Sequence, residues 1–135
     1  METILPSVIN FGIYFFGSLA ALLVFKYVYC AITPHDEWKL IKDEKNTTAA
    51  IGFGGGILGF AIALSGAASN SVSLLDFVVW SVIALIAQST AFALVRFVFM
   101  PLIVRRIETG EISAGIMLAA MSIAVGILNA ACMTY

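Results

Sequence analysis

Four long uncharged gaps divide this chain of 135 residues. No Asp, Glu, Lys or Arg lies between Glu2 and Lys26, between Lys45 and Asp76, between Asp76 and Arg96, or after Glu111. The gaps hold 23, 30, 19 and 24 residues. An α-helix needs about 20 apolar residues to cross the roughly 30 Å hydrocarbon layer of a bilayer. The gaps therefore predict an all-α membrane protein with four transmembrane helices, near residues 6–31, 48–69, 77–100 and 112–133.

The composition agrees with a lipid environment. The chain is 61% hydrophobic and only 11% charged, whereas about 25% of the residues of a soluble domain are charged. A core built from so short a chain cannot hide this much apolar surface from water. We therefore expect one membrane domain over residues 1–135, with the lipid bilayer as its first partner.

A dinucleotide-binding pattern occurs by spacing alone in the stretch Gly54–Gly59. It reads G-x-G-x-x-G, and Asp76 follows 20 residues after Gly56, as the ribose-binding carboxylate of that motif would. A phosphate-binding turn must follow a strand and open a helix. Here the preceding residues 43–47 are polar, and Asp76 belongs to the opposite membrane face. The pattern does not predict a nucleotide site.

The same glycines fit a different pattern, a seam of small residues on one side of a helix. Small side chains let helix backbones approach each other in lipid, where no hydrophobic force brings helices together. Such seams pack helices within a chain or between copies of a chain, and we expect a homo-oligomer. The second predicted span carries Gly52, Gly56, Gly59, Ala63 and Gly66, and the fourth carries Gly115, Ala119, Ser122 and Gly126.

The two halves of the chain resemble each other. Residues 25–30 match residues 95–100 in basic and aromatic positions, and residues 48–51 match residues 113–116. The offset falls from 70 to 65 because the first loop is five residues longer. We therefore predict a duplicated two-helix hairpin, about 1–70 and 71–135, whose copies point the same way across the membrane.

The basic residues predict the orientation. All seven lie at or between the first and second spans or the third and fourth spans, and basic loops stay in the cytoplasm. Both termini should therefore face the periplasm of a bacterium. Lys26 and Arg96 lie near the cytoplasmic helix ends and should reach lipid headgroups. Trp38, in a short helix predicted to begin at Thr33–Pro34, is a further headgroup anchor, although a plain solvated loop fits this segment as well.

No catalytic arrangement is present in the sequence. His35 is the single histidine and has no second histidine or cysteine beside it, as a metal site would require. The eight acidic residues all lie outside the predicted spans, whereas proton-coupled carriers usually keep a carboxylate in the membrane. We therefore expect no enzyme activity, no cofactor, no metal and no nucleic-acid partner.

Neutral polar residues remain within the predicted spans. They predict hydrogen bonds between helices, and the alternative is an uncharged polar path. Ser18, Gln88 and Ser122 should lie near the middle of the bilayer, and Asn10, Asn70 and Asn129 nearer its outer face.

Two stretches resemble a known family. They are Thr33-Pro34-His35-x-Glu37-Trp38-x-Leu40-Ile41, with Asn46-Thr47 after it, and the ending Asn129-Ala130-Ala131-Cys132-Met133-Thr134. Both are similar to the YjfL-like family of bacterial inner-membrane proteins, domain of unknown function 350. The resemblance implies four helices made from a repeated two-helix unit and a link to envelope stress through neighbouring genes. It supplies no catalytic or binding residue.

Two functions remain from different classes. The first is a non-enzymatic membrane protein that assembles with itself, and with envelope-stress membrane partners. The second is a small oligomeric channel or carrier for an uncharged or cationic solute. A dry, closely packed interior favours the first, and a water-lined row of Gln88, Ser18 and Ser122 favours the second.

Overall fold

The structure, a computed structural model, describes residues 4–33 and 37–133. In this part of the chain six α-helices follow one another: α1 (Ile4–Ile32), α2 (Glu37–Lys42), α3 (Thr47–Asn70), α4 (Leu74–Leu94), α5 (Ile103–Glu108) and α6 (Ile112–Ala131). A π-helical segment, Val95–Phe99, continues α4. The described residues include no strand. The all-α prediction is confirmed.

Four segments are long and apolar enough to cross a membrane: Ile4–Ile32, Thr47–Asn70, Leu74–Phe99 and Ile112–Ala131. Their ends lie within three residues of the predicted ones. The third segment stops at Phe99 because Pro101 disfavours the helical conformation in the residue before it, and Met100 has an extended φ of −141°.

Polar side chains begin two of the long helices. Asn46 caps α3, and its Oδ1 accepts a 3.0 Å hydrogen bond from the Ala49 amide. Ser73 caps α4 by accepting from the Asp76 amide at 3.2 Å, while Asp76 Oδ2 accepts from the Val72 amide at 3.1 Å. The pair differs from a capping box because the carboxylate accepts from the residue before the cap and not from the cap itself. The carboxylate of Asp76 therefore serves the start of its own helix.

The centre of the fold is a parallel pair of helices, α3 and α6, which share the most extensive contact in the structure. Thr48 lies against Gly115 near their first turns, and Gly66 lies against Ala130 near their ends. α4 runs antiparallel across both helices. α1 packs on α3 and α4 through Phe25 and Tyr29, its two buried residues, and leaves most of its length exposed.

Two apolar clusters stabilise the bundle. One joins α1, α3 and α4 around Phe25, Phe60 and Phe77. The other lies at the end that carries the basic loops, which we call the basic end, and joins α2, α3, α4, α5 and α6. Ile103 and Ile107 of α5 are fully buried there. The short helices are therefore part of the packed structure.

The predicted helix after the first span is present as α2. Leu40 is buried and Ile41 is half-buried against both clusters, so α2 packs onto α3. The Thr33 hydroxyl donates to the Tyr29 carbonyl at 3.0 Å. The rest of the predicted helix start, residues 34–36 with His35, lies outside the described residues.

Candidate functional site

Glycines let the backbones of α3 and α6 touch in the middle of the bundle. A Cβ atom built on Gly59 would overlap the carbonyl oxygen of Ser122, and one built on Gly126 would overlap the carbonyl oxygen of Gly59. These residues lie near the midpoints of two membrane-spanning helices. Only glycine fits such a contact.

The predicted seam on α3 faces two different helices. Gly52, Gly59 and Gly66 face α6 through Leu118, Ser122 and Ala130, whereas Gly56 faces the rings of Phe25 and Tyr29 on α1. Ala63 is fully buried in the cluster that contains Phe25.

Gly55, which the predicted seam omits, is the residue that meets Ala119 of α6. On α6 the predicted positions Gly115, Ala119, Ser122 and Gly126 all lie against α3. Residues 55, 56 and 59 are neighbours on a helix surface, so sequence spacing alone does not say which of them faces which partner.

Gln88 joins α4 to this contact. Its Nε2 donates a 2.8 Å hydrogen bond to the backbone carbonyl of Ser122, and Gln88 and Ser122 are only 3% and 2% exposed. We call Gly59, Gln88, Ser122 and Gly126 the central crossing. Among the described residues, no donor lies within hydrogen-bonding distance of the other amide atom, Gln88 Oε1.

The remaining predicted polar residues lie in separate environments. The Ser18 hydroxyl donates to the Tyr14 carbonyl of its own helix at 2.7 Å. Asn70 likewise donates to Gly66 of α3 at 2.8 Å. Asn129 of α6 bridges to the Ala84 carbonyl of α4 at 3.1 Å, while Asn10 is exposed on α1. The structure thus brings together Gln88 and Ser122, and ties α6 to α4 a second time through Asn129.

Two of the three predicted headgroup anchors meet. Lys26 Nζ lies 4.0 Å from the centroid of the Trp38 ring, which is cation–π distance. The third anchor, Arg96, lies over the ring of its neighbour Phe97, with 5.2 Å between the guanidinium carbon and the ring centroid.

A hydrogen bond between α3 and α5 at the basic end was not predicted from the sequence. Asn46 Nδ2 donates a 2.8 Å hydrogen bond to the Ile107 carbonyl, so the residue that caps α3 also holds α5. An Asn directly before an apolar helical run is a recognisable capping signal, but its second partner, 61 residues away, has no sequence signal. Next to it, Arg106 Nε pairs with Glu111 Oε2 at 2.8 Å.

The chemistry of the central crossing is neutral and compact. Its polar groups are amides, carbonyls and the Ser122 hydroxyl, all of them uncharged. Within residues 4–33 and 37–133 no group of three or more His, Cys, Asp or Glu could hold a metal ion. The stretch Gly54–Gly59 lies inside α3, without the strand and turn of a nucleotide site.

Known proteins resemble the chain over nearly its whole length. Residues 3–133 match the family described as Domain of Unknown Function (DUF350). The chain is 44% identical over 132 residues to UPF0719 inner membrane protein YjfL of Escherichia coli strain K12, with 98% of each chain covered. The same identity and coverage hold for the protein of that name in Escherichia coli O157:H7. No solved structure matches the chain.

Proposed function

This chain belongs to the DUF350 family of membrane proteins, and we propose that it is a non-enzymatic inner-membrane component that assembles with further copies of itself. One observation supports the proposal: α6 exposes a second face, small except for Met117, at the positions that a repeat of the hairpin would align with the face by which α3 binds α6.

We propose that residues 1–70 and 71–135 are copies of one hairpin. Each half has the same order, a long helix, a six-residue helix and a long helix. α1 runs parallel to α4, since Tyr14 and Tyr29 contact Phe77 and Phe92. Parallel directions of α1 with α4 and of α3 with α6 are what a repeat of two spans requires.

The repeat relates the packed face of α3 to an exposed face of α6. α3 meets α6 through Thr48, Gly52, Gly55, Gly59 and Gly66. The offset of 65 residues converts these positions to Ser113, Met117, Ala120, Ala124 and Ala131, which we call the outer face of α6. All five are exposed, and they lie on the side of α6 opposite α3.

The reverse comparison gives a complementary surface. The α6 positions that meet α3 include Gly115, Ala119, Ser122, Gly126 and Ala130. Their counterparts on α3 are Ala50, Gly54, Ile57, Ala61 and Ser65, which we call the back face of α3. These are exposed or half-exposed, and a Cβ on Gly54 would have no neighbour within 4 Å.

The back face of one copy can therefore receive the outer face of another in the direction in which α6 receives α3, at a wider helix separation because Ala124 and Ala61 replace Gly59 and Gly126. All copies then point the same way through the membrane, and each uses two different surfaces. Such head-to-tail interfaces build rings when the rotation closes.

Disulfide cross-linking tests this arrangement. The contact between Gly55 and Ala119 within one chain corresponds to a contact between Ala120 of one copy and Gly54 of the next. A chain carrying Ala120→Cys and Gly54→Cys, with Cys30 and Cys132 changed to Ser, should give a ladder of cross-linked copies on oxidation in membranes. Either substitution alone should give none, because the two surfaces differ. A double variant that stays monomeric would contradict the arrangement.

Dense packing favours assembly over conduction through one copy. The polar groups of the central crossing are buried between touching backbones, and Gly59 leaves no room for even a Cβ atom. We place both termini in the periplasm, because the basic loops at α2 and α5 belong on the cytoplasmic side. The family resemblance adds envelope stress as the setting, with other membrane proteins as partners.

A further inference from the structure

An apolar groove with one cation at its end lies between α1, α2 and α3. Its volume is about 490 Å³. It is lined by Leu19, Leu22, Leu23, Lys26, Trp38, Phe53 and Ile57, and we call it the Lys26 groove. Leu19, Leu23 and Trp38 are each at least 42% exposed. The groove is therefore open on the side that faces lipid.

The position of Lys26 along α1 puts the end of the groove at headgroup level. Ser18 is the midpoint of α1, so Lys26 lies about 12 Å from the bilayer centre at 1.5 Å per residue. The half-thickness of the hydrocarbon layer is about 15 Å. From Leu19 to Lys26 the groove thus follows one leaflet from near its middle to its headgroups, as an acyl chain does.

The cation at the end of the groove lies against an aromatic ring. Lys26 Nζ lies 4.0 Å from the centroid of the Trp38 ring, and Trp38 packs on Phe53 with 6.2 Å between ring centroids. Among the side chains that the structure describes, which leave out those of residues 34–37, no carboxylate lies within ion-pair distance of Lys26. An ammonium has three donors, so it can face the ring and still reach a phosphate oxygen.

We propose that the Lys26 groove binds an anionic phospholipid of the cytoplasmic leaflet. One acyl chain lies along Leu19, Leu23 and Ile57, and the headgroup phosphate contacts Lys26 beside Trp38. The apolar lining selects a lipid over a free phosphate ion, and the cation selects an anionic headgroup over a zwitterionic one. The site shares Ile57 with the back face of α3, while Leu19, Leu22, Leu23 and Lys26 lie on α1 and Trp38 on α2. Its assignment to the cytoplasmic leaflet rests on the orientation proposed above.

Tryptophan fluorescence offers a direct test, because the chain has only two Trp residues. In a Trp80→Phe protein all Trp fluorescence comes from Trp38. The protein is placed in two kinds of vesicle. One contains brominated phosphatidylglycerol with ordinary phosphatidylcholine, and the other contains brominated phosphatidylcholine with ordinary phosphatidylglycerol. Bromine on the acyl chains quenches a nearby Trp, so the two mixtures give the relative affinity of the groove for the two lipids.

We expect Trp38 to be quenched about fivefold more effectively by the phosphatidylglycerol, the factor that one lysine contributes at an anionic surface. Lys26→Gln should remove this preference. The matched control is Arg96→Gln, because Arg96 occupies the corresponding position in the second half of the chain. It should leave the preference unchanged.

Three results would overturn the proposal. Equal quenching by both lipids would show that the groove does not select charge. Loss of the preference in Arg96→Gln would show that the preference for phosphatidylglycerol comes from the overall positive charge of the protein and not from the groove. Absence of quenching by either brominated lipid would mean that a second copy of the chain, or another protein segment, covers Trp38.

Discussion

The backbone of Gly59 lies so close to Ser122 that a Cβ atom on Gly59 would overlap the Ser122 carbonyl oxygen. The same oxygen accepts the 2.8 Å hydrogen bond from Gln88 Nε2. One carbonyl group therefore connects α3, α4 and α6 at the middle of the membrane. Hydrogen bonds between membrane helices contribute only about 0.6–2 kcal/mol, so close packing supplies the larger part of this junction.

Adding one methyl group at Gly59 should destabilise the protein strongly. Gly59→Ala places a Cβ against backbone atoms that cannot move independently, and we expect a loss of about 3 kcal/mol, the upper range for an overpacked core. The loss of stability is measured by heating the protein in detergent and determining the folded fraction at each temperature by size-exclusion chromatography.

Gly54→Ala is the matched control on the same helix, because its Cβ has no neighbour within 4 Å. It should change stability by less than about 1 kcal/mol, the usual scale of a glycine-to-alanine change in a helix. The stability of Gly56→Ala should lie between those of the other two variants. A Cβ atom on Gly56 would lie 3.3 Å from Cζ of Phe25, and that ring can shift. Equal melting temperatures for the three variants would be incompatible with the α3–α6 contact.

The positions of the membrane helices could be predicted from the sequence because charged residues are excluded from the lipid interior. The four uncharged gaps locate the spans to within three residues. The choice of partner for each small residue was not accessible in the same way. Gly55 and Gly56 are adjacent and chemically identical, yet Gly55 meets Ala119 of α6 and Gly56 meets Phe25 of α1. Only the placement of α1 and α6 around α3 distinguishes them.

Gln88→Leu should lower the stability modestly. It removes the 2.8 Å bond to Ser122, which costs about 1 kcal/mol between membrane helices. It also removes Oε1, an acceptor with no donor near it in the described structure, and this gain offsets part of the loss. Unfolding temperature in detergent is the measurement.

A functional assay on the same variant separates the two functional classes. If Gln88 only holds helices, Gln88→Leu leaves any solute flux in proteoliposomes at the wild-type level. A well-folded Gln88→Leu protein that loses a flux present in the wild type would instead favour the channel or carrier.

Asn46→Ala should destabilise the basic end by about 2 kcal/mol. It removes a helix cap, typically about 1 kcal/mol, and the hydrogen bond to the Ile107 carbonyl, about 1 kcal/mol more. Asn46→Asp keeps an oxygen for the cap but loses the donor, so it should cost about half as much. Hydrogen exchange at α5 gives a local readout. Unchanged exchange there in both variants would show that α5 does not depend on Asn46.

The helix α5 at the basic end could not be predicted from the sequence. α5 has six residues and three charges, too few apolar positions for a periodic pattern. Ile103 and Ile107 are buried because α5 packs on α3, α6 and the π-helical segment Val95–Phe99. Tertiary contacts therefore determine this helix, as they determine the second partner of Asn46.

Fusions at the C-terminus test the orientation. Alkaline phosphatase is active only in the periplasm, and GFP fluoresces only when it folds in the cytoplasm. We expect an active phosphatase fusion and a dark GFP fusion, because all the Lys and Arg residues lie at or between the first and second or the third and fourth spans. The opposite pair of results would reverse the topology.

The mass of the assembled protein in nanodiscs tests self-association most directly. Native mass spectrometry of the wild type should show a multiple of the chain mass, while Ala124→Leu, which places a bulky side chain on the outer face of α6, should give a single copy with unchanged helix content. Ala93→Leu makes the same change at an exposed position on α4 and should keep the wild-type mass. A wild-type protein that contains one copy per nanodisc, or an Ala124→Leu protein with the wild-type mass, would contradict the proposed assembly.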